Sequence, residues 1–334
     1  MKLKTAAVAL CAAFALSGVA NAAGEILIKF SHVVSPDTPK GKAAEYFKKL
    51  AEERTKGKVK VQVYPNSQLY KDKEELEALQ LGAVQMLAPS LAKFGPLGVK
   101  EFEVFDLPYL FDNYDQVNKV MHGPIGKQLL GKLEGKGIKG LAYWDNGFKN
   151  FSANKPIRTP ADLKGLKIRI QSSKVLEEEM RTLGALPQVM AFSEVYQALQ
   201  TGVVDGTELE ASNLYTSKAY EVQKQLTLTQ HGFLGYAVIV NKKFWDGLPA
   251  DVRAQLDSAI RDASTYANDI AKKENERALA GIKASGKTQI YTPTPQERSA
   301  FKKALAPVHA KMAGRIGQDL LNQIYKETGF NPAK

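Results

Sequence analysis

Apolar and polar residues along this chain switch repeatedly between the two-residue spacing of strands and the longer spacing of helices. Short apolar or alternating runs predict strands over residues 26–30, 59–64, 84–88, 138–143, 166–170 and 234–240. The segments between them predict helices over residues 39–50, 71–81, 114–133 and 174–183. Pro39 opens the first of these helices, and Ser193 is predicted to cap a helix that ends at Gly202. This alternation predicts an α/β fold with mainly parallel strand pairs.

Two long helical segments follow the alternating part. Residues 249–285 contain only Gly281 as a helix breaker and repeat apolar residues at helical spacing. A helix of that length spans roughly 45 Å, which is wider than one small domain, so we expect it to cross two lobes. Residues 295–328 predict a second amphipathic helix on the outside of the molecule.

The N-terminus has the pattern of an export signal. Lys2 and Lys4 precede an apolar stretch over residues 6–19, which is too short to span a bilayer, and Ala20-Asn21-Ala22 forms a small-residue cleavage site. We predict cleavage after Ala22 and a periplasmic location. Cys11, the only cysteine, lies inside the apolar stretch after Leu10, which does not fit a lipoprotein anchor. The mature chain then has no disulfide and no thiolate metal site.

The charge of the chain is positive but evenly distributed. The full sequence carries a formal charge of +11, which the removal of Lys2 and Lys4 lowers by two. Basic and acidic residues are interleaved, and no block of five like charges occurs, so a nucleic-acid partner is not expected. A positive field of this kind still attracts small anions.

Motifs of enzymes and cofactor sites are weak in this sequence. Residues 135–140 match the glycine pattern of dinucleotide sites, but a helix precedes them and a strand follows, the reverse of the required order. The four histidines have no zinc-site spacing, and the Gly-x-Ser-x-Gly elbow is absent. We expect no cofactor, no metal and no catalysis. An exported enzyme is the alternative class.

Arg169 is the leading candidate for a binding residue. It stands near the end of the predicted strand 166–170, where a planar guanidinium can hold a carboxylate through two parallel hydrogen bonds. The alternative from this segment alone is an ordinary surface arginine.

Several motifs together carry a family resemblance. They lie at residues 30–36, 64–69, 105–111, 163–169, 190–196 and 199–206, and the last three are the most specific. In these motifs the chain resembles the extracytoplasmic solute-binding proteins of TRAP transporters, the DctP-like group. The resemblance implies a two-lobe periplasmic binding protein fold of the α/β class, with a hinge and a long lobe-spanning helix. It also implies a small organic acid as ligand and the small and large membrane permease subunits as partners.

The resemblance implies particular lobe boundaries. The signal peptide covers residues 1–22. The first lobe is expected to contain residues 23–146 and 235–274, and the second lobe residues 147–234 and 275–334. The helix from about 249 to 285 would cross both.

The resemblance also implies site residues. Arg169 falls on the arginine that clamps the ligand carboxylate, and Phe192 on the aromatic residue that packs against the ligand. Lys149 falls where relatives carry a second basic or polar contact, beside Asn150. Ser90 and His32 fall on positions of the first lobe that face the cleft.

One departure from the family pattern concerns the ligand. After Asp205-Gly206 the family usually has Asn-Pro where this chain has Leu209-Glu210, followed by Asn213. The change removes an anion donor and adds a carboxylate, which accepts hydrogen bonds from hydroxyl groups. It therefore favours a sugar acid such as D-glucuronate or D-galacturonate. A C4-dicarboxylate such as malate, succinate or fumarate is the alternative, with aromatic and keto acids behind both.

Overall fold

The computed structural model describes residues 25–331, so the predicted signal peptide lies outside the described residues. The strands of that part of the chain are β1 (Ile26–Ser31), β2 (Val59–Tyr64), β3 (Met86–Leu87), β4 (Ile138–Ala153), β5 (Lys167–Ile170), β6 (Leu186–Val189), β7 (Gly206–Leu209), β8 (Gln225–Asn241) and β9 (Gln289–Tyr291).

Helices lie between and after these strands. They are α1 (Pro39–Arg54), α2 (Glu75–Gln80), α3 (Tyr114–Met121), α4 (Pro124–Lys132), α5 (Lys174–Thr182), α6 (Val195–Gln200), α7 (Ala211–Thr216), α8 (Lys242–Asp246), α9 (Ala250–Ser285), α10 (Pro295–Ile316) and α11 (Gln318–Thr328). Among the described helices, none is both long and apolar enough to span a bilayer.

The strands form one mixed sheet in the order β2-β1-β3-β8-β4-β7-β5-β6, and β9 pairs with β8. β1 pairs in parallel with β2 and β3, and β5 pairs in parallel with β6 and β7. The longest pair, β4 with β8, is antiparallel, as are β3 with β8 and β4 with β7. Five of the eight pairs between described strands, β8 with β9 included, are parallel, so the prediction of mainly parallel pairing is confirmed, although the longest pair is antiparallel. The α/β fold class is confirmed.

Three helix predictions need correction. The predicted helix over 114–133 is two helices, because Gly123 and Pro124 end α3 and begin α4. The helical segment over 295–328 is also divided, at Gly317, whose φ of 108° is a left-handed conformation that favours glycine. Ser193 is not a helix cap: it lies within a short 3-10 helix over Phe192–Glu194, and α6 begins at Val195. The long helix is confirmed as α9.

Buried apolar residues form three clusters in the described part of the chain, and the largest joins Phe105, Phe151 and Ile168. A second cluster joins α1, β1 and β2 to the first half of α9, with Phe30, Phe47 and Trp144 buried. Another lies around α6 and α7 and includes Leu209, Leu214 and Ile282 of the second half of α9. α9 thus packs against α1 on one side and α7 on the other. β4 and β8 likewise run through both lobes.

The strand ends converge on the middle of β4 and β8. Leu87 of β3 pairs with Ile239, and Ser90 just after it bridges to Tyr236. Leu209 at the end of β7 pairs with Asn150. The carboxyl ends of the parallel strands of both lobes therefore face the same central region, which is where open α/β sheets bind ligands.

Candidate ligand-binding site

Arg169 lies on β5 with only 1% of its surface exposed. Its Nε and Nη2 donate hydrogen bonds to the carbonyl oxygen of Met190, at 3.1 and 2.9 Å. Its Nη1 is buried and has no hydrogen-bond partner among the described residues. Burial lowers the pKa of Arg169, and the nearby carboxylates of Asp72 and Glu208 oppose that shift. The guanidinium is therefore positioned by the backbone and keeps one nitrogen for a further acceptor.

Phe192 lies beside this guanidinium. The Arg169 Cζ atom is 6.0 Å from the centre of the Phe192 ring, at the outer limit of a cation–π contact. The backbone N–H of Phe192 donates to Asp72 Oδ2 at 2.7 Å. Phe192 packs against the apolar cluster that contains Leu209.

Lys149 is buried in an ion pair. Its Nζ lies 2.9 Å from Glu208 Oε2, and both side chains are at most 2% exposed. Burial lowers the pKa of Lys149, but Glu208 and Asp106 raise it by more, so the net shift is upward. His231 Nε2 lies 3.7 Å from carboxylate oxygens of both Glu179 and Glu208. The positive charge of Lys149 is thus balanced by carboxylates of the protein itself.

Asn150 does not direct a free amide into this region. Its Nδ2 donates to the carbonyl oxygen of Phe148 at 3.2 Å, and its Oδ1 accepts from the backbone N–H of Gln230 at 3.3 Å. The amide nitrogen and the amide oxygen of Asn150 thus each have a backbone partner.

Glu210 is the centre of a buried hydrogen-bond cluster. Its Oε2 accepts from the Nδ2 atoms of Asn146 and Asn213 at 3.2 and 2.9 Å. The same two nitrogens donate to the hydroxyl of Tyr236 at 3.1 and 3.3 Å. The Oδ1 of Asn213 has no partner among the described residues. Burial raises the pKa of Glu210 to about 7, which Lys149 opposes and Glu208 reinforces.

The first lobe supplies a group of unpartnered polar side chains at the ends of β1 and β3. In the described part of the chain, both ring nitrogens of His32 and the hydroxyls of Ser31 and Ser90 are buried without hydrogen-bond partners. Burial lowers the pKa of His32 to about 3, and the nearby Lys40 contributes to the shift. His32 is therefore a neutral ring, and an interaction with the Val34 backbone opposes the lowering of its pKa.

Two residues of this region were missed by the sequence analysis. Lys93 Nζ lies 2.6 Å from Asp72 Oδ1 and also forms an ion pair with Glu75. A cavity of about 320 Å³ is lined by Asp72 and Lys93 from one lobe and by Arg169 and Met190 from the other. Charged residues such as Asp72 and Lys93 resemble solvent-exposed residues in a sequence, and no pattern marked them as buried.

This arrangement fits the binding of an anion. Arg169 offers a buried donor at the wall of the cavity that Asp72 and Lys93 also line. Among residues 25–331, no group of three His, Cys, Asp or Glu side chains is arranged to hold a metal ion. The groups of this site that can bind an anion are its hydrogen-bond donors.

Known proteins of similar sequence and structure agree with this description. A model of the bacterial extracellular solute-binding protein family 7, DctP, matches residues 30–315. The C4-dicarboxylate-binding periplasmic protein DctP of Rhodobacter capsulatus is 64% identical over 323 residues, which are 96% of this chain and 97% of that protein.

Solved structures extend the comparison. A TRAP periplasmic solute-binding protein of Shewanella oneidensis with bound succinate has a TM-score of 0.89 at 42% identity, covering 91% of this chain and 100% of that one. The sugar acid binding protein DctPAm of Advenella mimigardefordensis with galactonate has a TM-score of 0.88 at 32% identity, covering 91% and 97%. From the extent of these matches, the chain belongs to family 7 of the bacterial extracellular solute-binding proteins and is a TRAP solute receptor, not an enzyme.

Proposed function

We propose that this receptor binds a C4-dicarboxylate such as succinate or malate and delivers it to the small and large permease subunits of a TRAP transporter. The relative named as C4-dicarboxylate-binding shares 64% of its aligned residues with this chain, whereas the galactonate-binding protein shares 32%. These similarities favour the dicarboxylate over the sugar acid that Leu209-Glu210 indicated. Export to the periplasm through residues 1–22 is part of the proposal.

The observation that carries the anion part of the proposal is the unused nitrogen of Arg169. A buried polar group without a partner costs free energy, and a buried charge without one costs more. A ligand carboxylate that accepts from Nη1 removes this cost with a charge-assisted hydrogen bond. The ring of Phe192 next to the guanidinium shields that bond from water.

The state of Glu210 weakens the argument for a sugar acid. That argument needs a carboxylate free to accept hydrogen bonds from ligand hydroxyls. Glu210 Oε2 already accepts from Asn146 and Asn213, and a pKa of about 7 leaves the group partly protonated at neutral pH. Glu210 therefore serves the internal cluster, and its effect on a dianion is smaller than that of a fully charged carboxylate.

The proposed ligand contacts follow from the same geometry. Arg169, Phe192, Asn213, Ser90 and His32 have side chains with unused donors, acceptors or aromatic surface around the central region. Lys149 and Glu210 act on the ligand through the electrostatic field, because their nearest partners are protein groups.

A thermal-shift and calorimetric screen tests the ligand. Succinate, malate and fumarate are compared with D-glucuronate, D-galacturonate and galactonate on the mature chain. A ligand at 100 times its dissociation constant stabilises the folded state by about 2.7 kcal/mol, which is readily measured. We expect the dicarboxylates to bind more tightly than the sugar acids. Tighter binding of a uronate or galactonate would return the assignment to a sugar acid.

A further inference from the structure

Four basic side chains are buried in the described part of the chain: Lys40, Lys93, Lys149 and Arg169. Two of them have acidic partners, since Lys93 pairs with Asp72 and Glu75, and Lys149 pairs with Glu208. Arg169 donates only to the Met190 carbonyl, and Lys40 forms no ion pair with any described carboxylate. Lys40 and Arg169 therefore have no ion-pair partner among the described residues.

We propose that Lys40 binds the second carboxylate of the ligand, so that Arg169 and Lys40 hold the two ends of one dicarboxylate. This inference rests on the proposed function and adds to it the residue that distinguishes a dicarboxylate from a monocarboxylate.

Lys40 stands in the first turn of α1 and is 1% exposed. Its Nζ donates to the carbonyl oxygen of Ala88 at 2.9 Å and lies 3.8 Å from the centre of the Tyr236 ring. An ammonium group has three N–H donors, and a carbonyl and an aromatic face do not neutralise its charge. Burial and Lys93 lower the pKa of Lys40 to about 7, as expected of a cation that needs an anion.

The groups around Lys40 suit a carboxylate. Ser31 and His32 at the end of β1 and Ser90 after β3 have unpartnered polar atoms. The three stand near Lys40 because Ser31 pairs with Leu87, next to Ala88, and because Ser90 bridges to Tyr236 under the ammonium. A carboxylate accepts several hydrogen bonds, and hydroxyl and imidazole N–H groups are suitable donors.

Lys40 and Arg169 belong to opposite lobes but to one electrostatic environment. The carboxylates of Asp72 and Glu210 act on the charges of both. A chain of contacts also connects the lobes, since Lys40 lies over Tyr236 and the Tyr236 hydroxyl accepts from Asn213. A ligand with one anionic group at each end would join the two cations across the central region.

The test compares Lys40→Met with the wild type and with Lys42→Met. Lys42 is on the same helix but is partly exposed and paired with Glu274, so it controls for loss of a positive charge nearby. Calorimetry measures succinate and monomethyl succinate, which differ by one charge. We expect Lys40→Met to weaken succinate binding roughly 10- to 100-fold, as for loss of a charge-assisted hydrogen bond, and to leave monomethyl succinate nearly unchanged.

The melting temperature of the ligand-free protein provides a second test. Because Lys40→Met removes an unpaired buried charge, the melting temperature of the ligand-free protein should stay the same or rise. Lys40→Gln, which keeps a donor for Ala88, is the second variant if the methionine variant folds poorly.

Unchanged succinate affinity in these variants would overturn the inference. An equal loss for both ligands, or a joint fall in affinity and ligand-free melting temperature, would overturn it as well. A wild type that binds no C4-dicarboxylate would refute the proposed function itself.

Discussion

The guanidinium of Arg169 is anchored to the carbonyl oxygen of Met190 by two of its nitrogens, at 3.1 and 2.9 Å. These bonds orient the plane of the side chain before any ligand arrives. The remaining nitrogen, Nη1, is directed by that anchor and has no partner among the described residues. The binding geometry is therefore built into the free protein.

Arg169→Lys should weaken succinate binding by about tenfold or more, because an ammonium cannot hold Met190 and a carboxylate in the same planar geometry. Isothermal titration calorimetry gives the affinity. Lys167→Met, which removes an exposed charge two residues earlier on β5, is the control and should bind nearly as the wild type does. Equal affinities for Arg169→Lys and the control would remove Arg169 from the site.

Glu210→Gln should stabilise the protein increasingly as pH rises from 4.5. Burial raises the folded-state pKa of Glu210 from 4.5 to about 7, so between these values the unfolded chain is ionised and the folded chain is not. The wild type therefore loses stability over this range, and the glutamine variant does not share that loss, which amounts to about 3 kcal/mol at most.

Urea denaturation of both proteins from pH 4.5 to pH 8 measures this difference. Glu45→Gln, at an exposed position on α1, is the control and should show no trend with pH. A difference between Glu210→Gln and wild type that stays constant over the range would mean that Glu210 titrates normally.

Glu208→Gln should destabilise the fold by about 3–5 kcal/mol, because it leaves the buried ammonium of Lys149 without its carboxylate. The double variant Glu208→Gln, Lys149→Met should recover most of that loss, since it removes the stranded charge. Urea denaturation of the single and double variants provides the comparison. If the free energy of unfolding of Glu208→Gln lies within about 1 kcal/mol of the wild-type value, the Lys149–Glu208 pair contributes little to stability.

Asp72→Asn should weaken the contact between the segments that carry Lys93 and Phe192. Asp72 pairs with Lys93 at 2.6 Å and accepts from the backbone N–H of Phe192 at 2.7 Å, so one carboxylate joins the two lobes. We expect succinate affinity to fall about tenfold, mainly through faster dissociation, and a higher succinate concentration to be needed to reduce the radius of gyration in small-angle scattering.

Lys71→Met is the control for this experiment. It removes an ion pair between Lys71 and Glu194 that also joins the lobes, but both side chains are about half exposed, and such pairs contribute at most about 1 kcal/mol. Asp72→Asn also removes a negative charge near the ligand, which alone would tighten binding of a dianion. A gain in affinity would therefore show that charge repulsion outweighs the contact between lobes.

Much of the fold could be predicted from periodicity, but the long central strands could not. β1 and α9 follow regular patterns and were predicted to within a few residues. The sequence runs 138–143 and 234–240 cover only parts of β4 and β8. The remaining parts contain Lys149, Thr229 and His231, which are buried and polar. Buried polar residues break the alternation that identifies a strand, and their partners lie far away in sequence.

The candidate site shows the same limit. Arg169 and Phe192 stand in distinctive motifs, so the family resemblance identified them. Lys40 occurs beside another charged residue in Lys40-Gly41-Lys42, and Lys93 is a single lysine between Ala92 and Phe94, so no pattern marks either as buried. Whether a lysine is paired, exposed or left without an anion depends on tertiary contacts. The meaning of Leu209-Glu210 for the ligand depended on the contacts of Glu210 with Asn146 and Asn213, which the sequence does not show.

β8 pairs with β3, β4 pairs with β7, and α9 packs against both α1 and α7, so the polypeptide crosses the molecule three times. Neither lobe is consequently one uninterrupted stretch of the gene. A recombination event with a single crossover would join halves of mismatched central strands, and a domain swap by protein engineering would need several coordinated cuts. New ligand preferences in such a scaffold are more accessible through point substitutions at the strand ends than through exchange of whole modules.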